Sequence, residues 1–306
     1  MSLKHKEEIT IWAFKDGKKG HEKQIDALIT EFSSIKNVNL FEFSTWKIHE
    51  SRPDLIIGAG NSTHKHILTA KKEHPSAKSI VLMKPSLRPT QWFDVAVVPD
   101  MDRFYLHKPK NVISTKGVLS KYSNEQTIPN TGLIVIGGKS RHYHFRKKVV
   151  NQQIEHLLNE EFKDYHWKIT TSPRSPNLDL PKHSGNAEFY SWKNTSENWM
   201  SDEISKSEIT FLTPESVSVL YEGLSTNTKV YVFHHEQHIV GQYGEKRKTK
   251  VTRNIDRLKK EGLIGYIDSS RYFFSRTVKD VDIIHPKKNK PLSESRRVVQ
   301  ELLEKL

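Results

Sequence analysis

The chain predicts an α/β protein: two doubly wound, Rossmann-like domains facing a cleft, with a C-terminal helix. Three observations carry that expectation. Short, β-prone apolar runs recur, most of them closed by a polar turn, often with glycine, and several followed by a helical period. The pattern restarts after a polar, aperiodic stretch at 123–131 that holds Pro129 and Asn130. At 306 residues, the chain is long for one core and fits two domains of about 150 residues each. The expected divisions are a first domain at 1–125, a second at 131–285, and a closing helix at 286–306 lying across the domain junction.

In order, Glu8 to Phe14 reads as the first strand. A turn with Gly17 and Gly20 follows, then a helix with Ile25, Leu28, Ile29 and Phe32 on one face. Further strands are expected at 38–43, 53–57, 79–83, 94–98 and 111–113. A helix over 65–72 follows the turn Gly58-Ala-Gly-Asn-Ser-Thr-His64. In the second half, strands fall at 133–136, 167–171, 189–192, 209–212 and 229–233. Thr213 is placed as the cap of a helix whose first turn takes Pro214. A basic helical run spans Gly241 to Gly262, with Gly262 as its C-terminal stop. Val298, Val299, Leu302, Leu303 and Leu306 mark an amphipathic last helix.

Composition excludes several classes. There is no cysteine, hence no disulfide, thiolate metal site or cysteine nucleophile. No apolar run approaches the ~20 residues of a membrane-spanning helix, and no signal-peptide pattern opens the chain. A cytoplasmic protein is the expectation. The net charge of +13 calls for an anionic partner. An anionic membrane surface or a phosphorylated substrate fits better than nucleic acid, because neither zinc-finger spacing nor an RNA-binding aromatic signature is present.

The chemistry-bearing residues gather in the turns after strands, where doubly wound sheets bind ligands. Asp16 and His21 share the first turn and are candidates for a general base. Gly137, Gly138, Lys139 and Ser140 combine backbone N–H groups with a cation and suit a diphosphate. They lack the spacing of an ATP-binding P-loop. Ser172 and Arg174 are candidates for the same phosphates. Thr213, Glu215, Ser216 and Ser218 stand at the start of the next helix, with Glu222 suited to accept from ribose or sugar hydroxyls. Asp100-Met101-Asp102 spells an acidic pair with metal-binding spacing, but in the first domain; no metal and no cofactor are expected.

Two doubly wound domains, a linker and a terminal helix resemble the nucleotide-sugar-dependent glycosyltransferases of the GT-B type. The resemblance implies a sugar donor on the second domain and an acceptor on the first, contacted by Lys18, Gly20, Gly60 and Ser62. It also implies direct displacement, with Asp16 or His21 as base and Lys139 and Arg174 on the diphosphate. A nucleotide-sugar epimerase of the same fold, or a non-catalytic scaffold, is the alternative.

A series of motifs narrows this further. Asp16-Gly-Lys-x-Gly-His21-x-x-Gln24, Gly58-x-Gly60 and Phe93-Asp-x-x-Val-Val-Pro99-x-x-Asp102 occur in this order. They are followed by Asn111-Val-x-x-Thr115-x-Gly117, Ile136-Gly-Gly138, Thr170-Thr-Ser172-x-Arg174-x-Pro176, and Thr213-x-x-Ser216-Val-Ser218 with Glu222. The series resembles the family known in plants as Elm-type mitochondrial fission proteins and in bacteria as lipooligosaccharide outer-core glycosyltransferases. It covers roughly residues 9–233. The resemblance implies a glycolipid acceptor of the lipopolysaccharide core and peripheral attachment at the inner membrane. Two positions depart from the family pattern: Asn61-Ser62-Thr63 replace basic residues, and Glu215 replaces an aspartate. The Gly-x-x-Gly-His order also resembles the acceptor loop of the lipid-linked N-acetylglucosaminyltransferase of peptidoglycan synthesis, which adds weight to His21.

Overall fold

The computed structural model describes residues 3–102, 104, 107–178, 183–238, 248–268, 282–287 and 290–306. They form two compact units, Met1–Tyr122 with Ser293–Leu306, and Ser123–Leu292.

The first unit is built on β1 (Glu8–Phe14), α1 (Lys19–Ser33), β2 (Asn37–Phe43), β3 (Leu55–Ala59), α2 (His64–Glu73), β4 (Lys78–Leu82), β5 (Val95–Pro99) and β6 (Val112–Thr115). Its sheet runs β2-β1-β3-β4-β5-β6, and every pairing is parallel. Alternation along β1 explains the two layers. Ile9, Ile11 and Ala13 pack with α1, whereas Trp12 and Phe14 pack with Ile67 and Ala70 of α2.

The second unit contains β7 (Ile128–Ile136), α3 (Lys147–His156), β8 (His166–Thr171), β9 (His183–Ser184), β10 (Ala187–Tyr190) and α4 (Trp199–Lys206). It continues through β11 (Ser207–Leu212), α5 (Val217–Leu224), β12 (Lys229–Val232), α6 (Lys250–Lys260), β13 (Gly265–Asp268) and β14 (Asp282–Ile284). The order is β14-β13-β12-β11-β7-β8-β10-β9, parallel except for the pairs β13–β14 and β9–β10. Phe211 stacks on Tyr231 at 4.6 Å in a core shared with Ile134, Trp167 and Ile154.

Four expectations are corrected. The linker is shorter than 123–131, because Ile128 to Thr131 already belong to β7. Asn130 takes a left-handed φ of 56° there, and its N–H donates to Glu208 Oε2 at 2.9 Å, which keeps the strand paired across an irregularity in its register with β11. The helix after β11 begins at Val217 with Ser216 as N-cap, so Thr213 and Pro214 lie in the preceding turn. In the basic run, α6 begins at Lys250 behind Thr249, whose hydroxyl accepts from the Thr252 N–H; residues 241–247 lie outside the described residues. The final helix, α7 (Glu294–Lys305), belongs to the first unit, where it packs on α1 and β6 and buries Val298, Val299 and Leu302.

Candidate functional site

In each sheet the strand order reverses at one place. In the first unit that place lies between β1 and β3; in the second, between β7 and β11. Loops leaving the carboxyl ends of neighbouring strands diverge there and leave a crevice. The sequence-predicted residues gather at both points.

At the first, β1 delivers Asp16 to His21 and β3 delivers Gly60 to Ser62. Asp16 Oδ2 accepts from three groups: His21 Nδ1 at 2.9 Å, Ser62 Oγ at 3.1 Å and Lys18 Nζ at 3.2 Å. Its Oδ1 accepts from the Lys18 N–H at 3.2 Å. The Asp16 side chain is only 3% exposed, and that of His21 is 22% exposed. Burial pushes the Asp16 carboxyl up, but the hydrogen bonds from His21 and Lys18 prevail and hold it below the usual carboxylate value. An ionised Asp16 fixes the tautomer. In the neutral imidazole Nδ1 is then the nitrogen that carries the proton and donates, and the lone pair lies on Nε2. No hydrogen bond to Nε2 is made among the described residues. Gly60 is required by space as well as by its φ of 86°, because a Cβ there would meet His21 Nδ1 at 2.5 Å. Gly20 lies in the first turn of α1, and its carbonyl accepts from Gln24 Nε2 at 3.0 Å.

Ser62, expected to contact an acceptor, is exposed and donates to Asp16. Asn61 pairs with Ser86 of the loop after β4. The residues that replace the family's basic ones are thus tied into the loop framework.

At the second point, the glycines behave differently from expectation. The Gly137 N–H donates to Thr213 Oγ1 at 2.7 Å, and the Gly138 N–H donates to Glu215 Oε1 at 2.8 Å. Thr213 Oγ1 in turn lies 3.0 Å from Glu215 Oε1. These N–H groups are engaged by the protein and are not available to a diphosphate. The glycines allow close approach instead: a Cβ on Gly137 would lie 1.9 Å from Glu215 Oε1, and one on Gly138 the same distance from the Arg174 carbonyl oxygen. Ser140 Oγ accepts from the N–H groups of His142 and Tyr143 and closes a turn. Glu222 is buried and accepts from Ser201 of α4.

What remains open to a ligand is the start of α5. The N–H groups of Ser218 and Val219 have no acceptor among the described residues, and the Ser216 and Ser218 side chains are half-buried beside them. Lys139 and Arg174 are exposed. Glu215 is buried; burial pushes its carboxyl above the usual value despite its hydrogen bonds and the Arg174 charge, and its Oε2 makes no hydrogen bond. Ser172 Oγ accepts from the Arg174 N–H at 3.3 Å.

Sequence reasoning missed Ser175. Its Oγ lies 2.7 Å from the Ile136 carbonyl and 2.5 Å from that of Gly137, and accepts from the Ser172 N–H at 2.8 Å. The run Ser172-Pro-Arg-Ser175 carried the signal of a hydroxyl-closed turn. Asp100 and Asp102 lie in the turn after β5, and no group of three or more His, Asp or Glu suited to a metal occurs among the described residues.

Two doubly wound domains, each with polar loops at its switch point, define a GT-B-like α/β fold. Solved structures agree on that fold. The glycosyltransferase SnogD from Streptomyces nogalater matches with a TM-score of 0.52 at 10% identity, over 98% of this chain and 95% of its own. A UDP-glucosyltransferase from Polygonum tinctorium capable of glucosylating indoxyl matches with a TM-score of 0.50 at 8% identity, over 98% and 93%. The spinosyn forosaminyltransferase SpnP gives 0.50 at 7% identity, over 97% and 90%. At such identities the likeness is one of fold. No curated protein matches the chain. The chain belongs to the mitochondrial fission ELM1 family, whose profile matches residues 9–306.

Proposed function

We propose that the protein is a glycosyltransferase that moves a sugar from a nucleoside-diphosphate sugar to a hydroxyl of a cell-envelope glycolipid, of the lipopolysaccharide or lipooligosaccharide core type. The observation that carries this reading is the Asp16–His21 pair at the switch point of the first sheet, with Nε2 of His21 left to take a proton. Asp16 has both oxygens engaged, so it is the positioning residue and His21 is the base. His21 Nε2 removes the acceptor hydroxyl proton as that oxygen bonds to the anomeric carbon. The bond from that carbon to the diphosphate breaks, and its electron pair leaves with the nucleoside diphosphate.

The start of α5, with the Ser218 and Val219 N–H groups and the nearby Lys139 and Arg174, supports a place for the diphosphate in the second unit. The envelope acceptor and peripheral attachment at the inner membrane rest on the family resemblance and on the net charge of +13. No helix among the described residues is long and apolar enough to cross a membrane.

A second reading, a non-catalytic scaffold, is favoured by one observation: the Gly137 and Gly138 N–H groups are already taken. A thermal-shift titration with UDP, GDP, CMP and ADP separates the two. A ligand at about 100 times its Kd stabilises the native state by about 2.7 kcal/mol. One nucleotide is expected to raise the Tm of the wild type and not of Arg174→Ala. A flat response to every nucleotide favours the scaffold.

A further inference from the structure

The loop between β4 and β5 holds two large apolar side chains in solvent. Leu87 is 78% exposed and Trp92 is 56% exposed. Neither is exposed by slackness, because the loop is pinned at both ends and in the middle. The chain leaves β4 through Met83, whose φ of 70° is rare for a side chain of that size, while its N–H donates to the Val97 carbonyl at 2.8 Å. Ser86 is held by Asn61, so the loop is tied to the segment that carries Gly60 and Ser62. A 3-10 turn over Thr90–Trp92 follows Pro89, and Asn111 Nδ2 donates to the carbonyls of Thr90 and Phe93 at 2.8 and 2.9 Å. Phe93 turns inward and is buried.

The charge carried by the loop itself has one sign. From Met83 to Phe93 the chain contains Lys84 and Arg88 and no acidic residue. Lys84 Nζ sits 4.5 Å from the centre of the Phe104 ring. Asp94, next in the chain, is paired with Lys71 and hydrogen-bonded to Ser79. A rigid loop that presents leucine and tryptophan beside cations, on a chain of net charge +13, matches an anionic bilayer: indole seats at the headgroup level, leucine enters the acyl region, and the cations meet lipid phosphates. A water-filled environment leaves that apolar surface unrewarded.

We propose that the loop of residues 83–93 docks the first unit onto an anionic lipid bilayer through Leu87 and Trp92. Because the loop is tied to Asn61, docking sets the Asp16–His21 turn beside the lipid surface. The docking itself is argued from the loop alone, so vesicle binding and nucleotide binding can fail independently.

The test uses the full chain with vesicles of phosphatidylcholine, with or without phosphatidylglycerol. The absence of cysteine allows a single environment-sensitive fluorophore to be placed on Leu87→Cys or, as a control, on Ile35→Cys, which is exposed between α1 and β2. The label at 87 is expected to brighten and shift to the blue with phosphatidylglycerol vesicles only, and the label at 35 to stay unchanged. Co-sedimentation of Leu87→Asp/Trp92→Asp is expected to fall about ten-fold or more, with an unchanged Tm, whereas Ile35→Asp sediments as the wild type. The proposal is overturned if the double variant binds as the wild type does, or if the label at 87 stays unchanged while the protein sediments. It is also overturned if Leu87 and Trp92 prove to mediate self-association without vesicle binding.

Discussion

Three donors converge on one oxygen of Asp16, and the role proposed for His21 rests on that convergence. A carboxylate with its pKa held low stays ionised at neutral pH, so in the proposed reaction it orients the imidazole and does not compete for the acceptor proton. His21→Ala is therefore expected to lower kcat by about 10²–10⁴-fold in a sugar-transfer assay. Asp16→Asn is expected to lower kcat while leaving KM nearly unchanged, because the amide no longer fixes the Nδ1 tautomer. Equal activity of the His21→Ala variant and the wild type would remove His21 as the base. The pair was legible in the sequence, since both residues fall in one short turn. The contact from Ser62 was not, because it comes from a residue 46 positions away, brought near by the β1–β3 pairing.

Among the elements, the strands of the first sheet were read to within two residues: β3, β4 and β5 are short, largely apolar runs buried on both faces, and β2 alternates polar and apolar residues along Asn37–Phe43. The start of α5 was misplaced for a physical reason. Thr213 has the side chain of a helix cap, but its hydroxyl is used to accept from the Gly137 N–H just past the neighbouring strand β7. Local chemistry permits either partner, and the parallel pairing of β7 with β11 chooses. The last helix makes a sharper prediction. Val298, Val299 and Leu302 are at most 1% exposed, and Arg297 bonds the Ser114 carbonyl at 2.6 Å. At about 1.5–3 kcal/mol for each buried side chain, deleting residues 293–306 is expected to cost the first unit about 5 kcal/mol or more. That is comparable with the whole stability of a domain. Hydrogen exchange should then show lost protection in β1 to β6, with the strands of the second unit unaffected.

For the molecule as a whole, stability should depend on pH through two buried histidines, one in each unit. Burial pushes His64 and His235 down to about 4. Between the ordinary value of 6.5 and that range, the unfolded chain binds protons that the native chain refuses, so stability falls as pH falls. The loss amounts to at most about 3 kcal/mol for each histidine. Urea unfolding is expected to show a lower midpoint near pH 5 than at pH 7, and His64→Phe with His235→Phe should flatten the difference. An unchanged slope in that variant would assign the acid sensitivity elsewhere. Asp16 and Asp94 act in the same direction but only at lower pH, because their pKa values lie below 3.8.

The short strands β9, β13 and β14 escaped the sequence reading, but by itself the sequence determined the strands of the first sheet, the central strands of the second, the presence of two α/β units and the turns that carry polar chemistry. Those follow from apolar period and from glycine, which are local properties of the chain. Only the tertiary structure decided which turns meet, because strand order is a long-range pairing that no local pattern encodes. That order brought Ser62 to Asp16 and placed α7 in the first unit. It also turned Gly137 and Gly138 from open N–H donors into close-packing sites: once β7 lies beside β11, the nearest acceptors for those N–H groups are the protein's own Thr213 and Glu215.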